Sequence, residues 1–84
     1  MKFNRPDNIS DNAYLVLEQV LENLYLNFNN EFDDFSKLDL STSDLDKACK
    51  ELHDKKFVIY CYDRENKPYL IAQGQAIDIV ESYR

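Results

Sequence analysis

At 84 residues the chain suits one domain around a single core and is too short for two. Its 44% hydrophobic and 13% aromatic content argues against disorder, and its single glycine against Gly-rich phosphate loops and turn-dense β-sandwiches. A net charge of −6 repels bare phosphate backbones, two cysteines make no disulfide framework, and apolar runs too short for a membrane, with no signal peptide ahead of them, point to a cytoplasmic protein.

Residues 1–9 are polar, carry Pro6 and Asn8, and read as a flexible arm ahead of a single domain over 10–84. Ser10 suits an N-cap, Asp11 favours the positive helix end, and Ile9 and Tyr14 hold the positions of a hydrophobic staple. Ala13, Val16, Leu17, Val20, Leu21, Leu24, Tyr25 and Phe28 then recur at helical spacing, so a long amphipathic helix is expected, ended by Asn27, Asn29 and Asn30. Leu15 and Leu26 miss that stripe. With Gln19 and Glu22 they run at steps of four, three and four, the spacing of a narrow seam for a dimer or a partner. Two isolated exposed leucines are common, and that plainer reading ranks first.

In 31–40, Phe32, Phe35 and Leu38 recur at threes, which suits a short helix with Asp33, Asp34 and Asp39 in water and Leu40 pairing briefly with a later hairpin. Ser43 is placed as the next N-cap, with Asp44 and Asp46 in the first turn. Leu45, Ala48, Cys49 and Leu52 form its buried stripe, and Lys55 and Lys56 sit at its negative end. The β-branched and aromatic run 57–62 predicts a strand, 63–67 a polar turn, and 68–72 the returning edge strand, opened by Pro68. Tyr60, Tyr62 and Tyr69 are expected on one side of this hairpin and Phe57, Ile59 and Cys61 on the other; with both sides apolar or aromatic, the last helix is expected to cover the second, and a tyrosine-rich patch is otherwise exposed. Ala72, Ala76, Ile79, Val80 and Tyr83 place that helix against the core.

The expected class is α+β: three helices, a β-hairpin and a fourth helix. The pattern L-x-x-A-C-x-x-L, Leu45 to Leu52, followed by Phe57-Val58, and the run Leu70-Ile71-Ala72-Gln73-Gly74 leaving the hairpin resemble the winged helix-turn-helix superfamily, particularly small bacterial and phage domains of the YjcQ-like, PadR-like and MarR-like kind. Ile71 stands where such domains carry a Thr or Ser that would cap the last helix. The resemblance implies a winged-helix fold, with the hairpin as the wing, and DNA binding through the second helix of the motif and the wing. Carried over, the groove-facing positions are Ser41, Thr42, Ser43, Asp44, Lys47 and Lys50, with Arg64 and Lys67 on the wing.

The charges argue against that use. Acids open the recognition helix, and few cations are available to release counterions. Residues 1–43 hold three Lys/Arg against eight Asp/Glu, and 44–84 hold seven against eight. A protein partner therefore ranks slightly ahead: a basic surface met by Asp33, Asp34, Asp39, Asp44 and Asp46, or an interface anchored by Tyr60 and Tyr62. A dimeric DNA-binding regulator using Ser43, Lys47, Lys50, Arg64 and Lys67 is the alternative, and a homodimer through Leu15, Gln19, Glu22 and Leu26 is compatible with either.

Nothing in the sequence favours catalysis. His53 is the only histidine, and the cysteines lack the paired spacing of a zinc site, so neither metal nor cofactor is expected. Cys49 and His53 share a helix face, yet Cys49 lies on the apolar stripe and reads as a buried structural thiol. The acid pairs sit at caps and turns, where acids are expected, and no small-molecule substrate is implied.

Overall fold

The computed structural model describes residues 3–83. It is an α+β domain with the order α1 (Asp11–Asn27), β1 (Glu31–Phe32), a 3-10 turn (Phe35–Lys37), α2 (Thr42–Asp54), β2 (Val58–Tyr62), β3 (Pro68–Ala72) and α3 (Gly74–Tyr83). The strands form one antiparallel sheet of order β1-β3-β2, with Phe32 opposite Leu70 and Tyr60 opposite Leu70 from the other side.

Helix α1 starts where its cap and apolar spacing place it. Ser10 Oγ accepts the Ala13 N–H at 3.2 Å, satisfying one of the orphan donors of the first turn. Ala13, Val16, Leu17, Val20 and Leu21 are buried. The helix ends with Phe28 in the left-handed region, φ 53°.

Segment 31–40 departs from the expected helix. Glu31 and Phe32 pair with Ile71 and Leu70, so strand pairing claims the backbone at its start. Asp34 then accepts the Ser36 N–H at 3.2 Å, a side-chain bond that offers the chain a turn instead of a helix. Only one 3-10 turn forms, and the third strand is Glu31–Phe32 rather than Leu40. Three helices therefore stand where four were expected.

Helix α2 is capped by Ser41, not Ser43, with the Asp44 N–H donating to Ser41 Oγ at 3.1 Å. Its far end closes in a Schellman turn: the Phe57 N–H reaches Leu52 O at 2.9 Å and the Lys56 N–H reaches His53 O at 3.0 Å, with Lys56 at φ 66°. That reversal drives Phe57 inward beside Leu52, where both are buried. The turn after β2 is held by Asp63, whose carboxylate accepts from the Glu65 and Lys67 N–H groups at 2.8 and 2.9 Å, with Asn66 at φ 64°.

The hairpin forms at the expected residues but is two-thirds of a sheet rather than a free two-stranded wing, because β1 joins β3. Its faces also differ from expectation. Val58, Tyr60 and Tyr62 share one face of β2, turned to α2, while Ile59 and Cys61 share the other with their partners Ile71 and Tyr69. Strand pairing, which sets Tyr69 opposite Cys61, separates it from the other two tyrosines. Helix α3 packs on α1 and does not cover that outer face. It starts at Gly74 without a hydroxyl cap, with Gln73 O accepting from Ile77 N–H at 3.0 Å.

Leu17, Leu21, Leu52 and Leu70 are fully buried at the junction of α1, α2 and the sheet, each contributing about 1.5–3 kcal/mol by burial. Segment 3–9, expected as a flexible arm, instead adds Phe3 and Ile9 to this core. Phe3 lies edge-on to Tyr25 at 6.1 Å. Ser10 is gripped from α2: its N–H and Oγ–H both donate to Glu51, each at 2.7 Å. In a capping box this acceptor comes from the third helical residue, which here is Ala13. Lys55 joins the same grip through Asn8 O and Glu51.

Candidate functional site

A concavity lies between the start of α2 and the inner face of the hairpin. It is a groove of about 580 Å³, within the range of binding pockets, walled by Leu45, Cys49, Tyr60, Tyr62 and Pro68, with Phe35 closing one end. Alternation along β2 brings Tyr60 and Tyr62 to this face, and the helical step brings Leu45, Asp46 and Cys49. Tyr60 Oη–H donates to Asp46 Oδ1 at 2.9 Å, and the two phenol oxygens are 3.1 Å apart. The rings pack tilted at 5.4 Å between centroids. Lys50 completes the line with a 3.0 Å ion pair to Asp46.

These contacts set the electrostatics. The Lys50 hydrogen bond, then that of Tyr60, holds Asp46 below the usual carboxylate range. Burial, then the hydrogen bonds with Tyr62 and Asp46, raises Tyr60 above an ordinary phenol, so it stays a neutral donor. Burial pushes the Cys49 thiol up to about 12, with Asp46 adding to the effect. Nearby, His53 Nδ1 is occupied by the Tyr60 N–H at 3.0 Å. The Cys49–His53 pair therefore offers neither a thiolate nor a ring nitrogen free to activate one. Among the described residues no group of three or more His, Cys, Asp or Glu side chains is placed to hold a metal ion.

The sequence-derived candidates are divided by the fold. Ser43, Asp46, Tyr60 and Tyr62 meet at this groove, with exposed Asp44 beside Ser43 in the first turn of α2. Lys47 and Lys50 are exposed on α2, and Arg64 and Lys67 on the hairpin turn. Two of these four cations are answered by neighbouring acids, Lys50 by Asp46 and Lys67 by Glu65 at 3.3 Å.

Asp33 and Asp34 lie elsewhere, in a smaller hollow of about 200 Å³ between α1 and 31–37. Gln19, Glu22 and Leu26 line it too. Leu15 does not, although it is exposed like Leu26, so the four-residue seam is split.

Phe35, Leu45, Cys49 and Pro68 complete the groove and were not foreseen as a site, because each reads locally as a core or turn residue. Among the described residues no helix is long and apolar enough to cross a membrane. Comparison with protein-family models, curated proteins and solved structures found no match.

Proposed function

We propose that the chain is a small non-enzymatic regulatory or adaptor domain of winged-helix type that binds a protein segment in the groove between α2 and the hairpin. The reading rests on that groove: an apolar floor of Leu45, Cys49 and Pro68 beneath two phenols, the Tyr60 hydroxyl bonded to Asp46 and the Tyr62 hydroxyl to that of Tyr60. Aromatic rings over aliphatic ground, with few polar groups to fix orientation, suit an inserted side chain of a peptide. Tyr62 is 53% exposed, which fits an interface anchor better than a structural one. The winged-helix assignment is supported by the order helix, strand, turn, helix, hairpin and by β1 joining the sheet beside β3, the second helix of the motif being reduced to the 3-10 turn.

DNA binding is the second reading, favoured by exposed Lys47 on α2 and Arg64 on the hairpin turn. The ion pairs at Lys50 and Lys67 oppose it by removing two of the four expected phosphate contacts.

Selection of random peptides displayed on phage against the immobilised protein tests the proposal. Enriched peptides should bind wild type and lose at least about tenfold in affinity to Tyr62→Ala and to Ser43→Tyr, which fills the groove from an exposed position. Peptides indifferent to both changes, or salt-sensitive DNA binding abolished in Lys47→Glu/Lys50→Glu, would sink the reading.

A further inference from the structure

We propose that the open edge of β2 is a strand-addition site for a second copy of this chain, held shut in the monomer by His53. The sheet order β1-β3-β2 leaves two edges. One is β1, two residues long and marked by Glu31; the other is β2, five residues in unbroken register with β3.

The direction of the β2 backbone groups follows from the bonds of its partner. Ala72, opposite Val58, sends its N–H to Asn30 O on the far side, while Gln73 N–H bonds Phe57 O. Val58, Tyr60 and Tyr62, at alternate positions, therefore aim their N–H and C=O groups away from β3. Of these three N–H groups only that of Tyr60 has a partner among the described residues, and it is His53 Nδ1.

An edge of this length is normally blunted by Lys, Pro, a bulge or an inward charge. β2, V-I-Y-C-Y, has none of these. The sequence of the strand argues for a copy of itself. Antiparallel pairing about Tyr60 sets Tyr60 opposite Tyr60, Ile59 opposite Cys61 and Val58 opposite Tyr62, with an apolar or aromatic side chain on every rung.

Two chains of net charge −6 can meet there without placing like charges across the rungs. A basic partner would find no carboxylate on β2 to answer it. An open hollow of about 620 Å³ beside Val58 and Ile59, bounded by His53 and Gln73–Gln75, gives an incoming strand room at one end. In the joined sheet, Ile59, Cys61, Tyr69 and Ile71 of both copies make one outer face.

His53 sets the strength. The central rung needs both Tyr60 N–H groups, so both imidazoles must turn away, and each gives up a hydrogen bond. Wild type should therefore associate weakly, and His53→Ala more tightly, by about tenfold or more for two bonds no longer broken.

Sedimentation over a micromolar to millimolar series, with amide exchange read at each concentration, tests this. The expected result is that the Val58 and Tyr62 amides gain protection with concentration, while those of Ile59 and Cys61, already bonded to β3, serve as the folded reference. His53→Ala should reach the same state at about one-tenth the concentration. Tyr62→Pro, which removes an outward donor without touching the β2–β3 ladder, should prevent it in both backgrounds.

Three results would each overturn the proposal: wild type showing no added protection at millimolar concentration, His53→Ala remaining monomeric there, or association that Tyr62→Pro leaves unchanged. The wild-type exchange measurement stands even where a variant fails to fold.

Discussion

The Nδ1 atom of His53 accepts the backbone N–H of Tyr60 at 3.0 Å, so the last turn of α2 closes the middle of the sheet edge. In the neutral ring this places the proton on Nε2. Replacing His53 by Ala should cost about 1 kcal/mol of stability, one hydrogen bond to a part-exposed donor. In dilute solution the Tyr60 amide should exchange faster while that of Ile59 does not. Equal acceleration at both would mean the loss is global.

Glu51 fixes the N-terminal segment to α2 through Ser10 and Lys55. Glu51→Ala should remove about 1–2 kcal/mol, as loss of a good cap does, lowering Tm by roughly 4–8 °C per kcal/mol in a domain of this size. Chymotryptic cleavage after Phe3, buried while the segment is held, should quicken in the same variant. Unchanged melting would show that water replaces the carboxylate without loss.

Acid should unfold the protein through a small set of carboxylates. Burial opposes the charge on Glu51, but the hydrogen bonds from Ser10 and Lys55 outweigh it and its pKa is lowered; Asp34 is lowered by Ser36, and Asp46 by Lys50 and then Tyr60. Each has a folded pKa below its unfolded one. Its contribution is therefore present above the ordinary carboxylate range and is lost as pH falls through the lowered value. Urea midpoints should be flat near neutrality and fall below about pH 4. Glu51→Gln should flatten part of that fall, and an identical curve would remove Glu51 from the set.

The two cysteines should differ in reactivity. Cys49 is buried with its thiol pushed up to about 12, whereas Cys61 is half-buried on the outer sheet face. Iodoacetamide at neutral pH should label Cys61 first and Cys49 only on unfolding. Peptide mapping of the singly labelled protein decides it; label on Cys49 in the folded state would contradict its burial.

One backbone position invites improvement. Lys56 holds φ 66° at the end of α2, where a side chain is strained and glycine is not. Lys56→Gly should raise stability by up to about 1 kcal/mol, less the entropy glycine adds to the unfolded chain. Gly74, by contrast, has open space around its Cβ position and no positive φ, so Gly74→Ala should be neutral or stabilising. Chemical denaturation of both variants checks the pair.

Elements whose causes are local were legible along the chain. Ser10 and the stripe from Ala13 to Tyr25 mark α1, whereas Phe28, expected on that stripe, caps the helix end and is exposed; Leu45 to Leu52 mark the buried side of α2, and β-branched and aromatic runs around Asp63–Lys67 mark the hairpin. Caps, helical spacing and turn residues act over a few positions, so one chain suffices to read them. Segment 31–40 was not legible in this way, because Phe32, Phe35 and Leu38 at threes fit a helix until Leu70 offers Phe32 a strand partner. The same holds for the separation of Tyr69 from Tyr60 and Tyr62, which follows from Cys61 being its rung partner.

The groove gathers Phe35, Leu45, Tyr62 and Pro68 from four separate segments, and no local pattern joins them. Glu51 lies 41 residues from the Ser10 it caps, so its partner is set by how α2 packs on α1. Local chemistry fixes which residues form an element; which face that element shows, and to what, depends on contacts that exist only once the core has closed.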